Sequence, residues 1–140
     1  MRYIFLTDDF YKMHAEHSEI LTKPSRPYVC LEVVIDDIIF AIPLRHHIQH
    51  QYAFITHGCA GLDYTKAVVV ADKSQISLRC PQIEQADHNA IKGQERCIRR
   101  EFTNYINLYK KAFKFRTSKH YANILKYSTL KYFHKYLQLP

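Results

Sequence analysis

The chain has 140 residues, 47% of them apolar, which suits one domain (1–140) with its own core and excludes a disordered chain. Twenty Lys and Arg against 13 acids leave a net charge of +7, a balance that draws polyanions such as nucleic acid. With three Gly, and four Cys (30, 59, 80 and 97) of which no two form a C-x-x-C pair, the sequence excludes a glycine-rich phosphate loop, a zinc ribbon and a disulfide framework.

Tyr3-Ile4-Phe5-Leu6 reads as a short first strand, and Thr7-Asp8-Asp9 as the start of a short helix through Tyr11 and Met13. That apolar run is too short for a secretory signal, and no stretch approaches the length of a membrane span. A cytoplasmic protein with reduced thiols and no membrane partner is therefore expected. The two prolines of Lys23-Pro24-Ser25-Arg26-Pro27 predict a loop. Residues 28–35 form the clearest strand, β-branched and continuous, with Cys30 inside it as a core thiol. Asp36-Asp37 is a two-residue hairpin turn, because Asp tolerates the left-handed conformation. Residues 38–42 return as the partner strand, with Pro43 expected to end the ladder or sit at an edge. Residues 45–65 read as polar and irregular, residues 66–70 as another strand, and Ile76 to Leu78 as a shorter one.

The C-terminal half changes character. Ile98, Phe102, Tyr105, Tyr109 and Phe113 recur at helical spacing, with Arg96, Arg99, Arg100, Lys110, Lys111 and Lys114 off that stripe. Arg116-Thr117-Ser118 breaks this helix and supplies a cap, and Tyr121, Ile124, Leu125, Phe133 and Tyr136 suggest a second helix. Strands first and helices later imply an α+β fold: a compact, curved antiparallel sheet or small barrel packed by helices.

Four of the nine histidines (46, 47, 50 and 57) fall in one irregular stretch, beside Arg45. Three readings compete. In a metal site, His46 and His47 would point opposite ways from an extended chain, and no carboxylate completes a familiar ligand pattern. A structural role, bonding to backbone, suits His50 and His57 best. Acid–base chemistry on RNA needs a base for the 2′-hydroxyl, an acid for the leaving 5′-oxygen and cations for the phosphorane. His titrates near neutral pH, and Arg holds phosphate oxygens with a planar fork. Arg45-His46-His47, just past a strand end, sets those groups on a loop held by a rigid scaffold.

Two further segments are candidates. Gly61-Leu62-Asp63-Tyr64-Thr65-Lys66 is a polar turn whose Tyr64 and Lys66 could meet base or phosphate, or simply an ordinary capped turn. Ile91-Lys92-Gly93 precedes the basic helix, and if Gly93 marks a helix start, Lys92 lies where backbone N–H groups favour an anion. As a surface residue, Lys92 would do no more than meet solvent.

The order of these segments carries a resemblance. Arg26-Pro27-Tyr28, then Phe40-Ala41-Ile42-Pro43-Leu44-Arg45-His46-His47, then Gly61 to Val68, then Ile91-Lys92-Gly93 and a basic helix resemble the endoribonuclease toxins of type III toxin–antitoxin systems. The likeness is to the ToxN/AbiQ group, and within it to the TenpN branch. It spans nearly the whole chain. It implies a Kid/MazF-like toxin fold and RNA cleavage without metal or cofactor, leaving a 2′,3′-cyclic phosphate and a 5′-hydroxyl. The implied partners are the RNA substrate and a small structured RNA antitoxin, closed with the toxin into a cyclic protein–RNA assembly. The family's Ala-Pro-Leu-Thr-Ser segment corresponds to Ile42-Pro43-Leu44-Arg45-His46, so Arg45 and His46 stand where relatives carry Thr and Ser. The family's two lysines correspond to Tyr28 (or Arg26) and to Lys92. The resemblance thus implies His46 as acid or base, Arg45 and Lys92 as phosphate stabilisers, and His47 and Tyr28 as supports or alternates. Candidate RNA contacts are Lys23, Arg26, Asp63, Tyr64, Lys66, Arg96, Arg99 and Arg100. A non-catalytic RNA-binding module and a metal-dependent hydrolase using the His cluster are the competing functions.

Overall fold

The computed structural model describes residues 1–22 and 27–140. The fold is α+β: a six-stranded antiparallel sheet packed by helices. Strand β1 (Tyr3–Ile4) leads to helix α1 (Asp8–Met13), whose start is set by Thr7, its hydroxyl accepting from the Phe10 N–H at 3.2 Å. Strands β2 (Cys30–Ile35) and β3 (Ile38–Arg45) form the hairpin predicted at Asp36-Asp37, both of which have positive φ, 51° and 65°. Cys30 is buried, and burial pushes its thiol up to about 12, which keeps it an inert core group.

Strand β3 does not stop at Pro43. It pairs with β2 through Cys30↔Pro43 and continues to Arg45. On its other edge it is shared. Ile39, Phe40 and Ala41 pair with β6 (Val68–Val70), whereas Leu44 and Arg45 pair with β5 (Ala60–Asp63). The Leu44 N–H bonds to the Val29 carbonyl at 2.8 Å, on the β2 side. By alternation the missing donor of Pro43 faces the gap between β6 and β5, where no bond is required.

Residues 45–65 are not irregular throughout. They contain β4 (Ala53–His57), which forms a hairpin with β5 around Gly58 (φ 54°) and has a register irregularity between Ile55 and His57. Gly61 is obligatory there: a Cβ would collide with the backbone carbonyl of Phe54 on β4. The sheet order is β1-β2-β3-β5-β4, with β6 branching from β3. The short strand expected near Ile76 reduces to one bridge, Leu6↔Ile76, and Leu78 stands in solvent.

Helix α2 (Gln85–Ile91) packs on β4, and helix α3 (Glu95–Lys114) lays Ile98, Phe102, Tyr105, Ile106 and Tyr109 on the core. Phe102 meets Phe40 edge-on, ring centres 5.0 Å apart. Ser118 caps the next turn, as expected. The single helix expected over residues 121–136 is instead α4 (Ala122–Tyr127) followed by short 3-10 turns. Ser128 makes the break: its backbone is extended, and its hydroxyl oxygen accepts from the Leu130 N–H and from the buried Tyr105 O–H. Among the described residues no helix is long and apolar enough to cross a membrane.

Candidate functional site

Arg45 ends β3 and is held by a buried acid. Its Nη1 donates to Asp63 Oδ2 at 3.0 Å, and Asp63 has 0% of its surface exposed. The other carboxylate oxygen accepts from the Thr65 N–H (3.0 Å) and the Thr65 hydroxyl (2.6 Å), and lies 3.1 Å from His50 Nε2. His50 Nδ1 accepts from the Tyr52 backbone N–H at 3.0 Å, so the ring proton resides on Nε2, which lies 3.5 Å from the Thr65 hydroxyl oxygen. Both nitrogens of His50 are thereby committed, as the structural reading of this residue expected. The same network holds Arg45 by an acid that cannot reach solvent.

Arg45 lies between two concavities. A cleft of about 350 Å³ is lined by Tyr28, Arg45, His46, Arg79, Glu84 and Asp87, among others. A larger cavity of about 720 Å³ is lined by Arg45, His50, Tyr52, Lys66, Tyr105 and His120, with further apolar neighbours. The cleft has the mixed equipment that phosphate chemistry uses: two guanidinium groups, an imidazole and a phenol.

Of the residues singled out from the sequence, Tyr28, Arg45 and His46 come together in this cleft. His47 is exposed next door, its backbone left-handed at φ 59° and its ring centre 6.4 Å from that of His46. Lys92 does not join them. It is exposed, closes the C-terminal end of α2 through a bond from its N–H to the His88 carbonyl, and lines neither concavity. Gly93 (φ 78°) lies between the end of α2 and the Gln94 cap of α3, and Lys92, as the C-cap of α2, sits beside its terminal carbonyls, which repel an anion.

Asp63 and Tyr64 are buried and cannot be surface contacts for RNA. The Tyr64 hydroxyl donates to Glu101 at 2.8 Å, and burial, reinforced by Glu101, pushes its pKa far above the usual phenol range. Lys66 lines the larger cavity, but its Nζ is engaged by Glu19 (2.8 Å) and the Tyr127 carbonyl (2.9 Å). The lysine in turn holds the Glu19 carboxyl below the usual carboxylate range. Arg96, Arg99 and Arg100 are exposed on α3, away from both concavities, with Arg99 donating to the Val34 carbonyl and Arg100 to Cys97 Sγ at 3.7 Å. Lys23 and Arg26 lie outside the described residues.

Arg79, Glu84 and Asp87 are additions that sequence reading missed. Glu84 and Asp87 are three residues apart, a helical spacing, but without a predicted α2 their shared face was invisible. They meet His57, the last residue of β4. His57 Nε2 lies 3.2 Å from Asp87 Oδ1 and 3.6 Å from Glu84 Oε2. The Thr56 hydroxyl donates to Asp87 Oδ1 at 2.5 Å. The ring centres of His57 and His46 are 6.5 Å apart, so this cluster forms part of the wall beside the cleft.

No protein-family model, no curated protein and no solved structure matches the chain.

Proposed function

We propose that this protein is a metal-independent endoribonuclease toxin of the type III toxin–antitoxin kind, cutting RNA in the cleft between Tyr28, Arg45, His46 and Arg79. The observation that carries the reading is the convergence of those four side chains in one cleft. His46 accepts the proton of the 2′-hydroxyl as its oxygen attacks the adjacent phosphorus. The Tyr28 hydroxyl, a donor by its chemistry, gives its proton to the departing 5′-oxygen. Arg45 and Arg79 hold the non-bridging oxygens as charge builds on the phosphorane. The P–O5′ bond breaks as the P–O2′ bond forms, leaving a 2′,3′-cyclic phosphate and a 5′-hydroxyl. Solvent then returns a proton from His46 to Tyr28. Arg79 takes the place that Lys92 was expected to fill. A structured RNA that presents an uncleaved phosphodiester to the same cleft would act as antitoxin, and a cyclic protein–RNA assembly is part of the proposal.

The exposed arginines of α3 favour a second reading, an RNA-binding module without chemistry. Incubating the purified protein with RNA, with and without EDTA, separates the possibilities. Cleavage that persists in EDTA supports the proposal. Binding with no cleavage in any buffer supports the module, and cleavage lost on chelation supports a metal-dependent hydrolase.

A further inference from the structure

We propose that His57, Glu84 and Asp87 form a binding site for a divalent transition-metal ion of the zinc class, independent of whether the neighbouring cleft cuts RNA. One donor atom from each residue lies within 4.8 Å of the other two, and among the described residues this is the group of three or more His, Cys, Asp or Glu side chains that is so arranged. Ligand atoms about 2.0–2.2 Å from one ion are roughly 3–4 Å apart at tetrahedral or adjacent octahedral angles. The measured 3.2 and 3.6 Å from His57 Nε2 fall in that range.

Distance alone would equally describe a histidine–carboxylate ion pair. The orientation distinguishes the two. His57 Nε2 is shut off from solvent and makes no hydrogen bond, although Asp87 Oδ1 is only 3.2 Å away. The in-plane direction of the nitrogen therefore misses the carboxylate oxygen. In an ion pair the N–H points at its acceptor; in a metal site the lone pairs converge on a point between the ligands. A buried polar atom in this position, with no bond of its own, is otherwise costly.

The surrounding structure supports such a site. Glu84 precedes the first turn of α2 and Asp87 lies in it, while His57 comes from β4, against which α2 packs. The Thr56 hydroxyl bond orients the Asp87 carboxylate, as an outer-sphere partner does. One imidazole with two carboxylates suits zinc over magnesium or calcium, which take oxygen ligands. An ion here clasps α2 to the β4–β5 hairpin.

Isothermal titration of the full chain, first stripped with EDTA and dialysed, with zinc chloride tests the site. One ion per chain should bind, with magnesium not competing. His57→Gln and Asp87→Asn should each weaken zinc roughly tenfold or more. Bound zinc should raise the melting temperature of the wild type by several degrees and that of His57→Gln by little. Cobalt loading of the wild type provides a readout that needs no variant: the spectrum should lack thiolate charge-transfer bands. No zinc binding by the wild type at about 100 µM, thiolate bands from Cys59 or Cys80, or a folded His57→Gln that binds as tightly as wild type would each overturn the assignment. None of these outcomes depends on RNA cleavage.

Discussion

Arg45 is stationed by Asp63, and His46, its neighbour in sequence, is the proposed base of the cleft. His46 is exposed and contributes nothing to the core. His46→Gln should therefore lower RNA cleavage by roughly 10²–10⁴-fold with an unchanged melting temperature; a variant of undiminished rate removes His46 from the mechanism. Asp63 behaves oppositely. It touches no solvent, yet its two oxygens accept from Arg45 and Thr65, with His50 Nε2 3.1 Å away. Asp63→Ala strands a cation and several donors, and should cost on the order of 3–5 kcal/mol of stability in urea denaturation. An unchanged midpoint would mean that the network does not hold the strand ends together. Arg45 and His46 were legible in the sequence because polar groups following a strong strand fall at its end, whereas Tyr28, which precedes β2, was named only through the resemblance. Lys92 was misplaced because Gly93 serves equally at a helix end, and here it does. His57, Glu84 and Asp87 were not legible as a group, since they come from a strand and a helix that the sequence does not announce.

At the scale of elements, periodicity decided what could be foreseen. The α3 stripe of Ile98, Phe102, Tyr105, Tyr109 and Phe113 is visible because it recurs every three or four residues; the first four are buried as read and Phe113 is half-buried. Asp36-Asp37 was visible because two residues that tolerate positive φ separate two β-branched runs. The β4–β5 hairpin was hidden. Ala53 to His57 are mostly partly buried and do not alternate, and Gly61 reads as a breaker when its role is close approach to Phe54. Gly61→Ala should unseat this hairpin, because the clash is with backbone that cannot rotate away. The expected loss is on the order of 3 kcal/mol or more, with amide exchange quickening first in residues 53–63; native-like protection there would refute the packing. Helix α1 carries a pH response. The His14 ring lies against Phe10 and Phe133, and its Nδ1 is 2.8 Å from that of His17. Burial, and then His17, lower its pKa below the ordinary histidine value. Because the fold favours neutral His14, this stability is present above the unfolded pKa and is lost as pH falls through it towards the lower folded value. The melting temperature should fall between about pH 7.5 and pH 5.5, and His14→Gln should flatten that fall; an identical slope in the variant would assign the response elsewhere.

Seen whole, the molecule is a sheet organised around one strand. Strand β3 carries β2 on one edge and both β5 and β6 on the other, so its end is braced from two sides. That bracing delivers Arg45 and His46 to a fixed place, and α2 closes the cleft with Glu84 and Asp87. A net charge of +7 favours polyanions over the whole surface, and on the proposed reading the cleft is where RNA would be cut. RNA cleavage by this cleft leaves its signature in the product ends. A defined RNA is incubated with wild-type protein in EDTA, and the new termini are identified by ligation and phosphatase sensitivity. Discrete cuts bearing a 2′,3′-cyclic phosphate and a 5′-hydroxyl, absent with His46→Gln, are the expected result. Intact RNA, or cuts bearing a 5′-phosphate, would contradict it.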